Sequence, residues 1–514
     1  MLQQQKQIKF SNYSELYDLL VPQDHLLRSI TELVDFSFVY DELKDKYCSY
    51  NGRMAEDPIR MFKYLLLKTI YSISDVDVVK RTLTDLSFKY FLGLCPEETN
   101  LIDPSLLSKF RRQRLKDTKI MDMLIKKTVC VALEKGIIQS KRFFVDATHS
   151  LSRSNSVNAT DYLTYQMEQT TRIVHSINES FKLPELPDLH GLSEKKKFPV
   201  VLSTAVDYVA AVEAAPPLVA MPAVSERLNL LKEIIADAKI RYVTSKDPDA
   251  RIGHKTKSRS FFGYKTHLVM SEERIIVAAD VTSGEADDGK MLERLVEKTE
   301  ENGVEIDTII GDTAYSSKAN LDMINDKNEN ENKDIKLCSP LNPVISNGTR
   351  KGATFDYNKD AGMFVCPAGH MAVSRSKPQQ KTNVPGKYHN PVIVFSFDVE
   401  RCKVCPLREG CYKPGAKKKT YSVRVLANTH KKQMEYEKTS EFVYLQRKRY
   451  MIEAKNAELK NVFGYDRAMS YGLASMELQG AMAIFAANLK RIIRIMYNPQ
   501  NETFRHSRTS RLFS

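Results

Sequence analysis

Three acidic residues of the 514-residue chain stand where carboxylates could do chemistry together. Asp146 closes the run Phe143-Phe144-Val145-Asp146, and Asp312 closes Ile309-Ile310-Gly311-Asp312. Each is an acid at the end of an apolar stretch of the kind that forms a buried strand. Carboxylates at the ends of neighbouring strands can converge on one pocket, and their oxygens suit hard divalent cations such as Mg2+ or Mn2+. The third acid, Glu453, sits in Arg449-x3-Glu453-x6-Lys460. Offsets of four and seven put these side chains on one helical face, where Glu453 could join the strand acids. Each acid also has a plainer reading. An Asp after a strand commonly caps a turn or a helix, and an exposed Arg-Glu pair four residues apart is worth only a few tenths of a kcal/mol.

A second set is made of thiols. Cys366-x35-Cys402-x2-Cys405-x5-Cys411 has the right number of sulfurs for a structural, tetrahedral Zn2+, and His370 in Cys366-Pro-Ala-Gly-His370 could replace one of them. Four protein ligands leave no open position, which argues against a catalytic zinc. Reduced thiols without metal are the alternative. Eight cysteines in a chain of this length are too few for a disulfide scaffold.

Basic residues form the third set. The chain holds 77 Lys and Arg against 64 Asp and Glu, a net charge of +13 that favours a polyanionic partner. Residues 441–514 carry 12 of these bases against 6 acids. The segment Arg251 to Lys265 holds Arg251, Lys255, Lys257, Arg259 and Lys265 beside His254 and no acid, which suits a phosphate backbone. A solvated surface loop would look the same. His149, just beyond Asp146, and His267 are weaker candidates, and Asp287 and Asp288 read as a helix cap before Met291 and Leu292. The sequence has no Gly-rich phosphate loop, so no nucleotide cofactor is expected.

The elements that must position these residues follow from periodicity and capping. Residues 1–140 read as an all-helical N-terminal DNA-binding domain. Asp57-Pro58 starts one helix, a second runs from Ser74 to about Phe91 and ends at Gly93, and a third begins at Asp103-Pro104. The third carries Leu106, Leu107 and Phe110 on one side and Lys109, Arg111, Arg112, Arg114 and Lys116 elsewhere. Arg111 and Arg112 are its candidate DNA contacts, although a helix bundle with a merely basic outer face fits the same periodicity. Residues 141–151 form the first strand of a catalytic core. Residues 152–250 are a helical and linker insertion, with helices near 162–181 and 225–238 around an exposed, mobile LPELPDLHGLSEKKKFP. The core resumes over 251–330 with a hairpin (264–270 and 275–281), a helix (289–301) and a strand (306–310). Residues 331–430 form the cysteine-containing insertion, 431–498 the C-terminal helices of the core, and 499–514 a basic disordered tail. The fold class is α/β, a ribonuclease-H-like catalytic core with long insertions behind an all-helical N-terminal domain.

Val145-Asp146-Ala147-Thr148, Gly311-Asp312-Thr313-Ala314-Tyr315 and Arg449-x3-Glu453-x6-Lys460, in this order, resemble the DDE transposases of bacterial insertion sequences. The resemblance covers most of the chain. It extends to Gly52-Arg53, Asp57-Pro58, Ser105-Leu-Leu-Ser-Lys-Phe-Arg111, Gly263-Tyr-Lys-Thr-His267 and Asn488-Leu-Lys-Arg491. The cysteine-bearing insertion looks most like the eleven-eighty-two group of the insertion-sequence-four superfamily. The resemblance implies that Asp146, Asp312 and Glu453 bind the metal, with Arg449 and Lys460 near the transferred DNA end. One position departs from the family pattern, which has Tyr three residues before the Arg where this chain has Gln446. Sliding the register to Tyr444-x2-Arg447 would put Met451 at the acid position, so Glu453 is kept, with Glu458 as an outside choice.

The implied activity is recognition of the element's terminal inverted repeats, metal-dependent cleavage that releases a 3′ hydroxyl, and attack of that hydroxyl on target DNA. Double-stranded DNA and at least a second copy of the chain are the implied partners. A catalytically silent descendant, or a nuclease that cuts without joining, are the alternatives. No stretch of about twenty apolar residues occurs, since Ala205–Val224 is broken by Asp207, Glu213, Pro216, Pro217 and Pro222. MLQQQKQIKF lacks the pattern of a secretory signal. A cytoplasmic, nucleoid-associated protein is expected.

Overall fold

The structure, a computed structural model, describes residues 11–48, 54–116, 119–154, 157–240, 243–244, 247–254, 260–341, 355–358, 361, 363–376, 392–424 and 428–497. Gly52-Arg53, the candidate DNA contacts Lys255, Lys257 and Arg259, and the tail 499–514 lie outside the described residues.

Caps set the N-terminal helices. They are α1 (Glu15–Leu20), α2 (Leu26–Leu33), α3 (Ser37–Leu43), α4 (Pro58–Tyr71), α5 (Asp75–Thr82), α6 (Leu86–Leu92), α7 (Ser105–Gln113) and α8 (Ile120–Glu134). Asp57 accepts the Ile59 amide at 2.8 Å, and Pro58 follows at the first helical position, where its missing N–H costs nothing. The helix expected from Ser74 to Phe91 is in fact two. Asp85 turns its carboxylate onto the Ser87 and Phe88 amides (2.9 and 3.3 Å), and that cap is satisfied only if the chain leaves the helix before it and starts a new one. Gly93 ends α6 at φ 66°, a conformation that costs glycine little.

After β1 (Arg142–Leu151) and the short β2 (Val157–Asn158) come four helices, α9 (Ala159–Ile177), α10 (Glu194–Glu213), α11 (Pro216–Val219) and α12 (Pro222–Ile240), and then β3 (Val243–Thr244). The stretch read as an exposed linker has no buried side chain among its described residues, but part of it is helical. Its second half is the first turn and a half of the 20-residue α10, which runs on through Pro199. Leu183 and Leu189 from its first half pack on the core that α9, α10 and α12 share around Leu163, Met167, Val201 and Leu231.

The sheet is built from β1, β4 (Arg251–His254), β5 (Ser260–Ser271), β6 (Ile276–Ser283), β7 (Thr308–Ile310) and β8 (Lys336–Cys338), with α13 (Leu292–Glu301) before β7 and α14 (Lys318–Glu331) before β8. Strand β5 pairs antiparallel with β1 on one side and with β4 and β6 on the other, while β1–β7 and β7–β8 are parallel. Strand β8 falls inside the stretch 331–430 read as insertion, yet its pairing with β7 makes residues 336–338 part of this sheet.

A separate pair of small sheets follows. One is β9 (Asp356–Asn358) with β10 (Met363–Val365), and the other is β11 (Ser374–Arg375), β12 (Val392–Phe397) and β13 (Lys419–Arg424), with α15 (Val399–Lys403) after β12. The chain ends in α16 (Asn428–Tyr436), α17 (Ser440–Arg447), α18 (Tyr450–Phe463) and α19 (Leu473–Tyr497).

One apolar core joins the N-terminal helices, the sheet and the C-terminal helices. The rings of Phe62 on α4 and Phe485 on α19 meet edge-on at 6.0 Å inside it. Asn488, fully buried on α19, crosses this junction. Its amide nitrogen donates to the Thr128 hydroxyl of α8 (3.0 Å) and to the Ile276 carbonyl of β6 (2.8 Å), and its oxygen accepts the Ile276 amide (2.9 Å). The protein is thus a mixed α/β chain with an N-terminal helical region, and among the described residues no helix is long and apolar enough to cross a membrane.

Candidate active site

Strands β1 and β7 run parallel with Phe144 opposite Ile310. Asp146 and Asp312 each come two residues later, so they stand at the same level on adjacent strands; Asp312 lies just past the end of β7, but Asp146, expected to close its strand, lies inside β1, which runs on to Leu151 paired with β5. Gly311 makes this close approach feasible, because a Cβ there would come within 2.8 Å of Val145 Cγ1 and Tyr315 Cδ2. The Tyr315 ring is buried against Gly311, with its hydroxyl unpartnered. Burial pushes the Asp146 carboxyl up to about 6, helped by the negative charges of Asp312 and Glu453 and opposed by the Ala147 amide and Arg449.

Asp312 also does what the plainer reading asked of it. Its Oδ1 accepts the Ala314 amide at 2.9 Å, and its carbonyl accepts the Ser339 hydroxyl. Glu453 occupies the first turn of α18, 53% exposed, and accepts Arg449 Nη2 at 2.6 Å. Burial works against the Arg449 charge, but the bond to Glu453 and the charges of Asp146 and Asp312 outweigh it and keep the guanidinium protonated. Lys460, two turns on, has Nζ 3.4 Å from His149 Nδ1. Glu458 turns away to the buried Lys455 at 2.7 Å.

The structure therefore gathers Asp146, Asp312, Glu453 and Arg449 into one region. It does not close the acids into a ligand set, since among the described residues no three His, Cys, Asp or Glu side chains have the spacing to hold a metal ion. Glu453 is committed to Arg449 instead. The donor chemistry still suits a hard cation, and one further oxygen fits it. Asn456, on the Glu453 face of α18, donates to Asp146 Oδ2 at 2.9 Å, and its own buried Oδ1 has no partner.

Sequence reasoning missed Asn456, although an offset of three from Glu453 was the available signal. It also treated Gln446 only as a departure from a pattern. Gln446 Nε2 donates to the carbonyls of Gly311 (3.0 Å) and Cys338 (2.7 Å), tying α17 to the ends of β7 and β8 beside Asp312.

The basic candidates divide. Arg112 is exposed on α7. Arg111 is turned inward, its guanidinium bidentate on Asp75 with Nη1 at 2.9 Å, and Lys68 reaches the same carboxylate at 2.7 Å. Lys265 is likewise occupied, donating to Asp288 and to the Ala286 carbonyl, both at 2.8 Å. His267 is fully buried, bonded through Nε2 to the Thr282 hydroxyl at 2.9 Å, and burial pushes it down to about 4. Asp287 caps the Gly289 amide at 3.0 Å as expected, whereas Asp288 serves Lys265.

Away from these acids, Cys366, Cys402, Cys405 and Cys411 line one cavity together with His370, and none is in a disulfide. Burial pushes the Cys402 thiol up, and the other three sulfurs add to the effect.

A family model described as Transposase DDE domain matches residues 230–489, more than half of the chain, and one described as Transposase domain (DUF772) matches residues 15–113. The chain belongs to the DDE transposases and is a DNA transposase. Asp312 and Glu453 fall within the first match, and Asp146 falls outside both. No curated protein and no solved structure matches it.

Proposed function

We propose that this transposase binds the terminal inverted repeats of its own insertion sequence and cuts and joins DNA at Asp146, Asp312 and Glu453, within a ribonuclease-H-like core of the eleven-eighty-two type. The observation that carries the reading is the pairing of β1 with β7, which puts two aspartates at the same level beside the helix of Glu453. Bound there, Mg2+ or Mn2+ would supply electrostatic stabilisation of the attacking and leaving oxygens of an in-line displacement. Asp146 in β1 and Asp312 just past β7 would hold it. Glu453 completes the set once it leaves Arg449, and a DNA phosphate is the natural competitor for that guanidinium. Lys460 and Arg112 add charges along the backbone, and Lys255, Lys257 and Arg259 are further phosphate contacts proposed from the sequence alone. Two or more protomers act on the paired ends.

The test is cleavage of DNA carrying matched element ends. Asp146→Asn, Asp312→Asn and Glu453→Gln should each abolish Mg2+-dependent nicking and strand transfer while retaining gel-shift binding. Wild-type nicking by any one of them removes that residue from the set. Wild-type nicking without transfer of a precut end would leave a nuclease.

A further inference from the structure

We propose that Cys366, Cys402, Cys405 and Cys411 hold one structural zinc ion that staples the lobe formed by β9 to β13, independently of what the DDE acids do. The lobe's own core is small. Its buried apolar side chains, among the described residues, are Ala372, Phe395, Phe397 and Tyr412, with Phe355, Phe364, Ile393 and Tyr421 among those partly buried. Ordering a residue costs roughly 1–2 kcal/mol in backbone entropy, and fully burying a Phe returns about 3 kcal/mol at most. Among the described residues the lobe's buried core is small, and units with small cores are commonly stapled by a metal or by disulfides. These cysteines form no disulfide.

The backbone around the thiols is already folded into tight turns. The Cys366 amide donates to the His370 carbonyl and the Gly369 amide to the Cys366 carbonyl, both at 2.8 Å, with Gly369 at φ 79°. On the other side the Cys405 amide reaches the Cys402 carbonyl at 3.5 Å, and the Leu407 amide donates to Cys405 Sγ at 3.4 Å. An amide aimed into a sulfur is the kind of outer support that a metal-binding cysteine uses.

Cys366 follows the β9–β10 hairpin, whereas Cys402, Cys405 and Cys411 follow β12, so a shared ion would tie one small sheet to the other. As they stand the sulfurs are not at ligand spacing. The cavity between them, about 70 Å³, is several times what one water needs, which leaves them room to swing inward. Four thiolates select zinc over hard cations and leave no coordination position for substrate. His370 also lines the cavity and is the spare donor.

The test uses the full chain, expressed with zinc and gel-filtered. Elemental analysis should give about one zinc per chain, a mercurial reagent should release it, and Co2+ exchanged into the site should show the intense bands of a tetrahedral thiolate complex. Cys402→Ser with Cys405→Ser should remove the metal, while His370→Ala and Asp146→Asn should keep it. Chelation should open the lobe to protease and leave the rest of the chain resistant. Zinc-free wild-type protein whose four thiols react equally with and without added Zn2+ would overturn the proposal, and so would zinc retained by the double variant. The wild-type measurements decide the matter even if that variant fails to fold.

Discussion

Arg111→Ala should destabilise the protein by about 1–2 kcal/mol at neutral pH, whereas Arg112→Ala should leave stability within about 0.5 kcal/mol and weaken DNA binding. The magnitude comes from Asp75, whose side chain is only 18% exposed. Burial alone would raise its carboxyl, but bonds to Arg111 and Lys68 and their charges outweigh burial and hold it at about 2, against 3.8 for a free carboxyl. That difference corresponds to about 2 kcal/mol of stabilisation at neutral pH, shared between the two cations. Because the folded value is the lower one, the stabilisation is fully present above 3.8 and is lost as pH falls through about 2. Urea midpoints should therefore differ between wild type and Arg111→Ala at pH 7 and converge in acid, wherever the wild type still folds. Gel shifts on element ends supply the other half of the assay. An Arg111→Ala protein with the wild-type midpoint at pH 7 and lost DNA affinity would return Arg111 to the phosphate surface.

Asn456→Ala removes the donor to Asp146 Oδ2 without touching the acids, and should lower nicking about tenfold, equivalent to about 1.4 kcal/mol. A shift of the Mn2+ concentration for half-maximal rate, with an unchanged melting temperature, would mark Asn456 as a positioning residue, and an unchanged rate would dismiss it. Gly311→Ala would press a methyl to 2.8 Å from Val145 and Tyr315, and should cost about 1–3 kcal/mol in thermal unfolding. Wild-type melting of that variant would mean that Val145 and Tyr315 yield to the added methyl without cost.

What the sequence determined by itself was local. Apolar and β-branched runs marked β1 and β7, Asp57 and Gly93 announced helix ends through their own backbone preferences, and the Arg449–Glu453 contact was legible because an offset of four on one helix is a sequence property. Asp85, a cap read as helix interior, and α10, hidden behind Lys and Pro residues, escaped because neighbouring segments settle such ambiguities.

Tertiary structure decided everything that depends on which face meets which partner. Arg111 and Arg112 look alike in sequence, and only the position of Asp75, 36 residues away, turns one inward. Asn488-Leu-Lys-Arg491 stands in the sequence only as a point of resemblance, yet Asn488 is a buried brace between α8, β6 and α19. Gln446 has a role only because the ends of β7 and β8 present two carbonyls to it. Hydrogen-bond partners brought together across more than a hundred residues leave no periodic trace in the chain, since the folded backbone alone sets their distance.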